Sequence, residues 1–423
     1  MRSALILSVD DASVSPLDGD LKRAGMHVIG ATTCEKLAHD AVLFNPDVVV
    51  ALAPQPLEPL FGATALLEST HPVAVAIFTD DVRVELVERA FASGVHAWVI
   101  RGYDRDRLRS VLQLAQVRFR REAAHRKRLS DLTGRLEERK LVDRAKGLLM
   151  SRKGMAEEQA FRALRDAAMQ GKQRLGQVAQ RLIEAARAAE AVNRAGQLRM
   201  LSQRLVKLHL LGQLGIEPDS VAALRRASIE RLEQNLSVLA ELVSEATFGA
   251  LIAAALTSWD RVKRSLAEGA HLSALREIDD AAERLLEAAE QLTAALEAAS
   301  PMTSLQLVNL AGRQRMLAQR FAKAALLQGI APEPDPAASS QMKLAVDAFD
   351  EAMTILLQSP LTARDGQAKL HEAQDVWKTL CRSARVGHLP EGRLQIAQAS
   401  EELLDRFDDL TGRYELSLTV LVG

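Results

Sequence analysis

Aromatic residues make up only 4% of this 423-residue chain. Beside abundant Ala, Leu, Glu and Arg, that scarcity points to a mostly helical protein. Cysteine is scarcer still. Cys34 and Cys381 stand far apart, so neither a metal-ligand cluster nor a disulfide framework is expected. No apolar run approaches the roughly 18–20 residues that span a bilayer. The first ten residues read as a strand ending in acid, not as a signal peptide. A soluble, cytoplasmic protein with no membrane partner is therefore expected. Net charge is −1, so the distribution of charge, not its sum, must decide on nucleic acid. No nucleophile–base pair, phosphate loop or metal-ligand spacing stands out, and the nine histidines form no ligand pattern. Neither an enzyme nor a cofactor is expected. The length exceeds one ordinary core and implies roughly two to four domains.

What is present is a stretch that occurs twice. Asn193-Arg194-Ala195-Gly196-Gln197-Leu198-Arg199-Met200-Leu201-Ser202-Gln203-Arg204-Leu205-Val206-Lys207 is matched 116 residues later by Asn309-Leu310-Ala311-Gly312-Arg313-Gln314-Arg315-Met316-Leu317-Ala318-Gln319-Arg320-Phe321-Ala322-Lys323. This is a tandem duplication. Trp259 and Trp377 also correspond, as do Leu285-Leu286 and Leu403-Leu404, now 118 residues apart. Copy two thus carries a two-residue insertion between its first and later helices. Turn-forming clusters near Gly215 to Pro218, Thr247 to Gly249 and Gly269 divide copy one; those near Pro332 to Pro336, Ser359-Pro360 and Gly387 to Pro390 divide copy two. Each copy has about four helices. Two tandem four-helix bundles are expected, at 188–300 and 301–423.

Residues 1–117 alternate strand-like and helix-like segments. Ala4 to Val9, Val48 to Leu52, Val73 to Phe78 and Ala97 to Ile100 suit buried parallel strands, with Val28-Ile29 as a further one. This is the pattern of a doubly wound α/β domain. It resembles a response-regulator receiver. Asp10 and Asp11 stand where receivers hold Mg²⁺, and Thr79 stands at the receiver's Thr/Ser position. Leu52 occupies the place of the phosphoacceptor aspartate, and Arg101 that of the fifth-strand lysine. Aspartyl phosphorylation needs a carboxylate nucleophile. A pseudo-receiver used for dimerisation or docking is expected instead. Asp10 and Asp11 stay open between a retained metal site and solvated strand-end residues.

A long helix is expected from about Asp104 to Lys140. Leu108, Leu112, Ala115 and Phe119, then Leu129, Leu132 and Leu136, follow coiled-coil spacing, although the first set equally suits packing on its own α/β domain. The basic run Arg118, Arg120, Arg121, Arg126, Lys127 and Arg128 precedes a second motif. It comprises Ala145-Lys146-Gly147-Leu148-Leu149-Met150 and Ala160-Phe161-Arg162-Ala163-Leu164-Arg165-Asp166-Ala167-Ala168-Met169. Three short amphipathic helices marked off by Gly154 and Gly171 would bury Leu149, Met150, Phe161, Leu164, Met169, Leu175, Val178 and Leu182. With its linker helix, this module is placed at 118–187. It resembles the ANTAR domain, the RNA-binding module of AmiR- and NasR-type antitermination regulators. The resemblance implies binding to paired stem-loops in leader transcripts. A lysine beside a glycine admits a phosphate backbone closely, which singles out Lys146 and Gly147. Arg144, Arg152, Lys153, Arg165, Lys172 and Arg174 would extend the basic surface.

Each repeat copy resembles the PilJ-type sensory domain and the nitrate-sensor P-box. The resemblance implies that arginines after the Ala-Gly step bind nitrate or nitrite between two helices. On this chain they are Arg199 and Arg315, with Gly196, Gln197, Gly312 and Arg313 as adjacent contacts. Facing guanidiniums repel, and a planar oxyanion bridging them would lock the copies together. Arg204 and Arg320 read as structural ion-pair partners. The fold class expected is α/β plus all-α: a receiver-like domain, a linker helix with the three-helix module, then two bundles. The function expected is a homodimeric, nitrate- or nitrite-responsive RNA-binding antiterminator. The alternative is an RNA-binding regulator whose bundles dock a partner protein and hold no small ligand.

Overall fold

Two compact units follow one another, Met1–Glu137 and Glu138–Gly423. The computed structural model describes residues 2–9, 11–101, 104–268, 274–300, 305–331, 333–360, 362 and 364–421, without the side chains of 11–16, 152, 153, 268, 364 and 416–421. In the first unit five parallel strands alternate with helices: β1 (Arg2–Ser8), α1 (Asp11–Arg23), β2 (Met26–Thr33), α2 (Leu37–Phe44), β3 (Val48–Leu52), α3 (Glu58–Thr70), β4 (Ala74–Thr79), α4 (Val84–Ala92) and β5 (Ala97–Ile100). Their order in the sheet is β2-β1-β3-β4-β5, the doubly wound arrangement. The period-two alternation of each strand feeds two cores. Leu5, Leu7, Val49, Ala51, Val75 and Ile77 pack with α2, α3 and α4. Ala4, Ile6, Val48, Val50, Ala74 and Phe78 pack with α1 and with Leu108, Leu112 and Ala115 of the next helix. Those last residues therefore cover their own sheet and are not a coiled-coil seam.

That next helix, α5, runs unbroken from Arg105 to Lys153. It exceeds the expected linker and includes the first helix of the second motif. Gly154, at φ +61°, ends it in a left-handed conformation that costs glycine no Cβ clash. Then come α6 (Glu157–Gln170) and α7 (Leu175–Gln213). Val142, Ala145, Leu149, Ala160, Leu164, Ala167, Ala168, Val178, Ala179, Leu182 and Ile183 form a small core between these three. Met150, Phe161 and Met169, expected in that core, lie outside it at 38%, 40% and 64% exposure. The inward stripe of α6 is nearly all alanine. Phe161 and Met169 sit one position beyond Ala160 and Ala168, about 100° round the helix.

The helix α7 does not stop at the end of the module. The expected boundaries at 117/118 and 187/188 both fall inside continuous helices. The repeats are α7 with α8 (Pro218–Leu242), α9 (Glu245–Glu268) and α10 (Leu275–Ala298), then α11 (Leu305–Ile330), α12 (Pro336–Gln358), α13 (Arg364–Ser383) and α14 (Pro390–Leu421). Each copy thus supplies four helices, and the extra residues of copy two lie around the α11–α12 turn. The copies do not form two separate cores. One continuous hydrophobic core runs through all eight helices, with α7 and α11 packed against each other at its centre. Phe349 stacks on Trp377 at 3.9 Å between ring centroids within it. No helix among the described residues is long and apolar enough to cross a membrane.

Candidate functional site

The duplicated motif lies along the contact of α7 and α11, where two features let arginine be buried. The first is glycine three residues before it. A Cβ at Gly312 would stand 2.9 Å from Arg315 Nη2. A Cβ at Gly196 would stand 3.2 Å from Arg199 Nη2 and 3.9 Å from Arg315 Nη2. Each guanidinium folds back over the preceding turn, on the surface that glycine leaves bare. The second is a complete set of partners, without which a buried charge is very costly.

Those partners are crossed between the copies. Arg199 Nη1 donates to Glu290 of its own copy at 2.6 Å, and Nη2 donates to Asn309 of the other copy at 2.6 Å. Arg315 Nη1 donates to Asp408 of its own copy, and Nη2 to Asn193 of the other at 2.7 Å. Asp408 follows Glu290 by 118 residues, so the arrangement obeys the duplication. Both arginines are 1% exposed, whereas Glu290 and Asp408 are 40% and 48% exposed. Burial lowers the Arg199 pKa, Glu290 opposes this, and Arg313 and Arg315 add to it. Burial alone would raise Glu290, but the Arg199 charge leaves its carboxyl below the ordinary value. The guanidiniums are therefore neutralised by carboxylates, and the expected need for an anion to offset their repulsion does not arise. One donor remains. Arg199 Nε is buried and has no partner among the described residues.

Gln197 faces elsewhere: its Oε1 accepts from Arg231 Nε at 3.0 Å and Asn235 Nδ2 at 2.9 Å on α8. Arg313 lies near the surface, 3.7 Å from Glu290. A cleft of about 430 Å³ lined by Asn193, Arg194, Gln197, Arg231 and Asp408 reaches the Arg315 pair. Copy two has Leu310, Phe349 and Met353 at the positions of Arg194, Arg231 and Asn235, so the duplication has diverged here.

Two turns further along, a second charged layer crosses the copies. Lys207 Nζ donates to Ser400 Oγ at 2.8 Å and Glu401 Oε1 at 2.5 Å, and Arg204 also pairs with Glu401. Lys323 pairs with Asp279 and Glu283, and Arg320 Nη2 reaches Glu283 at 2.8 Å. Lys207 and Lys323 are completely buried. Arg204 and Arg320 thus serve as the ion-pair partners expected of them.

The basic module has a different electrostatic character. Lys146 Nζ lies 2.8 Å from Asp143 and 2.7 Å from Glu157, and both carboxylates hold its pKa above the ordinary lysine value. Nothing lies within 4 Å of where a Gly147 Cβ would be, so the backbone there is open to approach. Arg144, Arg162, Arg165, Lys172 and Arg174 form no ion pair among the described residues. The side chains of Arg152 and Lys153 lie outside the described set. Upstream, Arg126 pairs with Glu68, and Arg118 Nη1 donates to the His96 carbonyl at 3.3 Å. Those two members of the basic run are committed to the first unit. There, Leu52 ends β3 beside Phe78, and the Thr79 hydroxyl donates to the Pro54 carbonyl at 3.2 Å. Arg101 is exposed, at φ +48°. Asp10 and the Asp11 side chain lie outside the described residues.

Reasoning from the sequence assigned no role to Asn193 and Asn309, nor to the acid pairs Glu290 with Asp408 and Glu283 with Glu401. A signal existed for the acids. Each pair recurs at the 118-residue spacing of the two tryptophans.

Comparison with known proteins finds family matches in the basic module and in the repeats. Residues 130–183 match the ANTAR domain family. Residues 182–304 and 303–402 each match the PilJ family, described as the type IV pili methyl-accepting chemotaxis transducer N-terminal region. The transcriptional regulatory protein PdtaR of Mycobacterium tuberculosis is 32% identical over 165 residues, covering 39% of this chain and 80% of the relative. The nitrate regulatory protein of Klebsiella oxytoca is 49% identical over 55 residues, 13% of this chain and 14% of that protein.

Proposed function

The chain belongs to the ANTAR-domain transcriptional regulators, and from that premise we propose that it is a nitrate- or nitrite-responsive antiterminator binding leader-RNA stem-loops. The observation that carries the reading is the crossed arginine pair, one member of which, Arg199, lies on the helix that continues into the RNA module. Arg199 and the module's core residues Val178, Ala179, Leu182 and Ile183 share α7. An entering planar anion competes with Glu290 and Asp408 for the guanidiniums, and Arg199 Nε supplies a further donor. The displaced carboxylates are half-exposed and can turn to water at low cost. Their helices α10 and α14 then repack against α7 and α11. This is a two-state element with differential affinity for the ligand. The α/β unit serves as a pseudo-receiver, because Leu52 offers no nucleophile.

Neutralisation of both guanidiniums by carboxylates favours a second reading, in which the bundles dock a partner protein and hold no small ligand. Thermal unfolding in nitrate, nitrite, chloride and sulfate separates the two. Selective stabilisation by nitrate or nitrite supports the ligand reading through mass action. Equal melting in all four salts supports the partner.

Two results are expected downstream. Lys146→Ala should weaken hairpin-RNA binding about 10-fold and reduce the salt slope by about one, leaving anion affinity intact. An unchanged mobility shift would remove Lys146 from the interface. Leu129, Leu132 and Leu136, at 66%, 61% and 55% exposure, form an uncovered seam on α5 at a/d spacing. We assign it to a second copy of the chain. Leu132→Glu should then convert the dimer to a monomer in light scattering, and a dimer that survives the change places the interface elsewhere.

A further inference from the structure

Helix α6 carries two interleaved sets of residues. Ala160, Leu164, Ala167 and Ala168 face the module's core. Phe161, Arg165 and Met169 recur every four residues on the outside, each step turning about 40° past a full turn of the helix. Core packing accounts for the first set and leaves the second unexplained. A single exposed apolar side chain needs no explanation. Here, however, a phenyl ring and a thioether flank a guanidinium on the face of a cationic module. Arg162 and Lys172 lie beside them, and none of the three cations has an ion-pair partner among the described residues. The Lys146–Glu157 pair places the start of this helix against the lysine already assigned to RNA.

We propose that Phe161, Arg165 and Met169 form a stacking platform for unpaired loop bases of the RNA. The assignment rests on the RNA-binding reading above and extends it from backbone contact to base contact. Aromatic and thioether surfaces accept a base face without regard to its sequence, and a guanidinium plane can stack or reach phosphate. The charge pattern favours RNA over a second copy of the chain as the occupant. Covering this stripe with the same stripe of a second copy would desolvate Arg162, Arg165 and Lys172 against like charges, which is costly. A phosphate backbone supplies them while releasing its own cations.

The test uses the full-length chain with and without nitrate, at one fixed salt concentration. Its probes are a hairpin RNA with a randomised eight-base loop and a blunt duplex of the same stem. Phe161→Ala should weaken hairpin binding at least about 5-fold while leaving duplex binding unchanged. Phe161→Tyr should bind as the parent does, since the ring is retained. Arg165→Gln should weaken both probes. The hairpin with 2-aminopurine in its loop should be quenched by the parent chain and by Phe161→Tyr, and not by Phe161→Ala. Equal affinity of Phe161→Ala and parent for the hairpin overturns the platform, as does an equal loss on both probes. A shift of Phe161→Ala from dimer to monomer, with RNA affinity per subunit retained, would assign the stripe to a second copy and also overturn it. Failure of the parent chain to bind either probe overturns the RNA reading itself, and the platform with it.

Discussion

On the nitrate reading, alanine at Arg315 is expected to abolish thermal stabilisation of the chain by nitrate, and alanine at Arg199 to do the same. Each guanidinium brings two donors to the shared site, and hydrogen bonds to a charged group contribute roughly 1.5–3 kcal/mol each. Losing two corresponds to at least about a 100-fold loss of affinity. The fold should survive both changes. Asp408 and Glu290 are half-exposed and can take up water, and Glu290 keeps Arg313 at 3.7 Å. Asn193 and Asn309 each lose one donor, a cost of about 1–3 kcal/mol. Lysine should not rescue either position, because an ammonium cannot offer the planar fork that holds a carboxylate and an asparagine at once. Calorimetric titration decides the matter: nitrate affinity unchanged in both alanine variants removes the site from this pair. The crossed partners add a finer expectation. Asn309→Ala should weaken the site through Arg199, and Asn193→Ala through Arg315, although neither asparagine shares a copy with the arginine it holds.

The largest effect on stability is expected from Glu401→Gln. Burial alone would raise this carboxyl, but Lys207 and Arg204 hold it far below its ordinary 4.5, at about 2. A group whose folded pKa is depressed contributes stability above its unfolded pKa, and loses it as pH falls through the folded one. The interval from 4.5 to about 2 corresponds to about 3 kcal/mol, present at pH 7 and lost between about pH 4.5 and 2. Removing the charge leaves Lys207, completely buried, with only neutral acceptors, Ser400 Oγ and the glutamine amide oxygen, and broken buried pairs typically cost about 3–5 kcal/mol. Urea unfolding should show a gap between parent and Glu401→Gln at pH 7 that closes as pH approaches 2. A gap independent of pH would assign the loss to packing. Because Glu401 belongs to copy two and Lys207 to copy one, the variant tests the joint between copies, not the stability of either alone.

Much of this was legible in the sequence because duplication writes the same constraint twice. The paired arginines, the glycine three residues before each and the tryptophan landmarks were visible as repeats. The five strands were visible because a sheet covered on both faces reads as short apolar runs. The exposed face of α6 was not. Phe161 and Met169 have the chemistry of core residues, and only the neighbouring alanines on the inward stripe, close enough to fill that core alone, displace them. The carboxylates opposing the arginines were hidden for another reason. They lie 91 and 93 residues from their partners, and nothing local marks an acid on an amphipathic helix as facing inward. Merging of the two bundles into one core was likewise unreadable, because α7 and α11 are apolar or neutral over most of their circumference, a pattern that says buried without saying against what.

The unbroken α7 imposes a gearing between its two ends. Each residue added or deleted between Ile183 and Arg199 turns one end against the other by about 100° and shifts it by about 1.5 Å. The angular position of the arginine and that of the RNA module's third helix are therefore locked in phase, with no loop to absorb an error. Changes of 7 or 11 residues, which return within about 20° of the starting phase, are the ones such a rod tolerates. A different helical domain grafted onto this module through α7 is therefore expected to communicate with it only when the joint is made in near-whole turns.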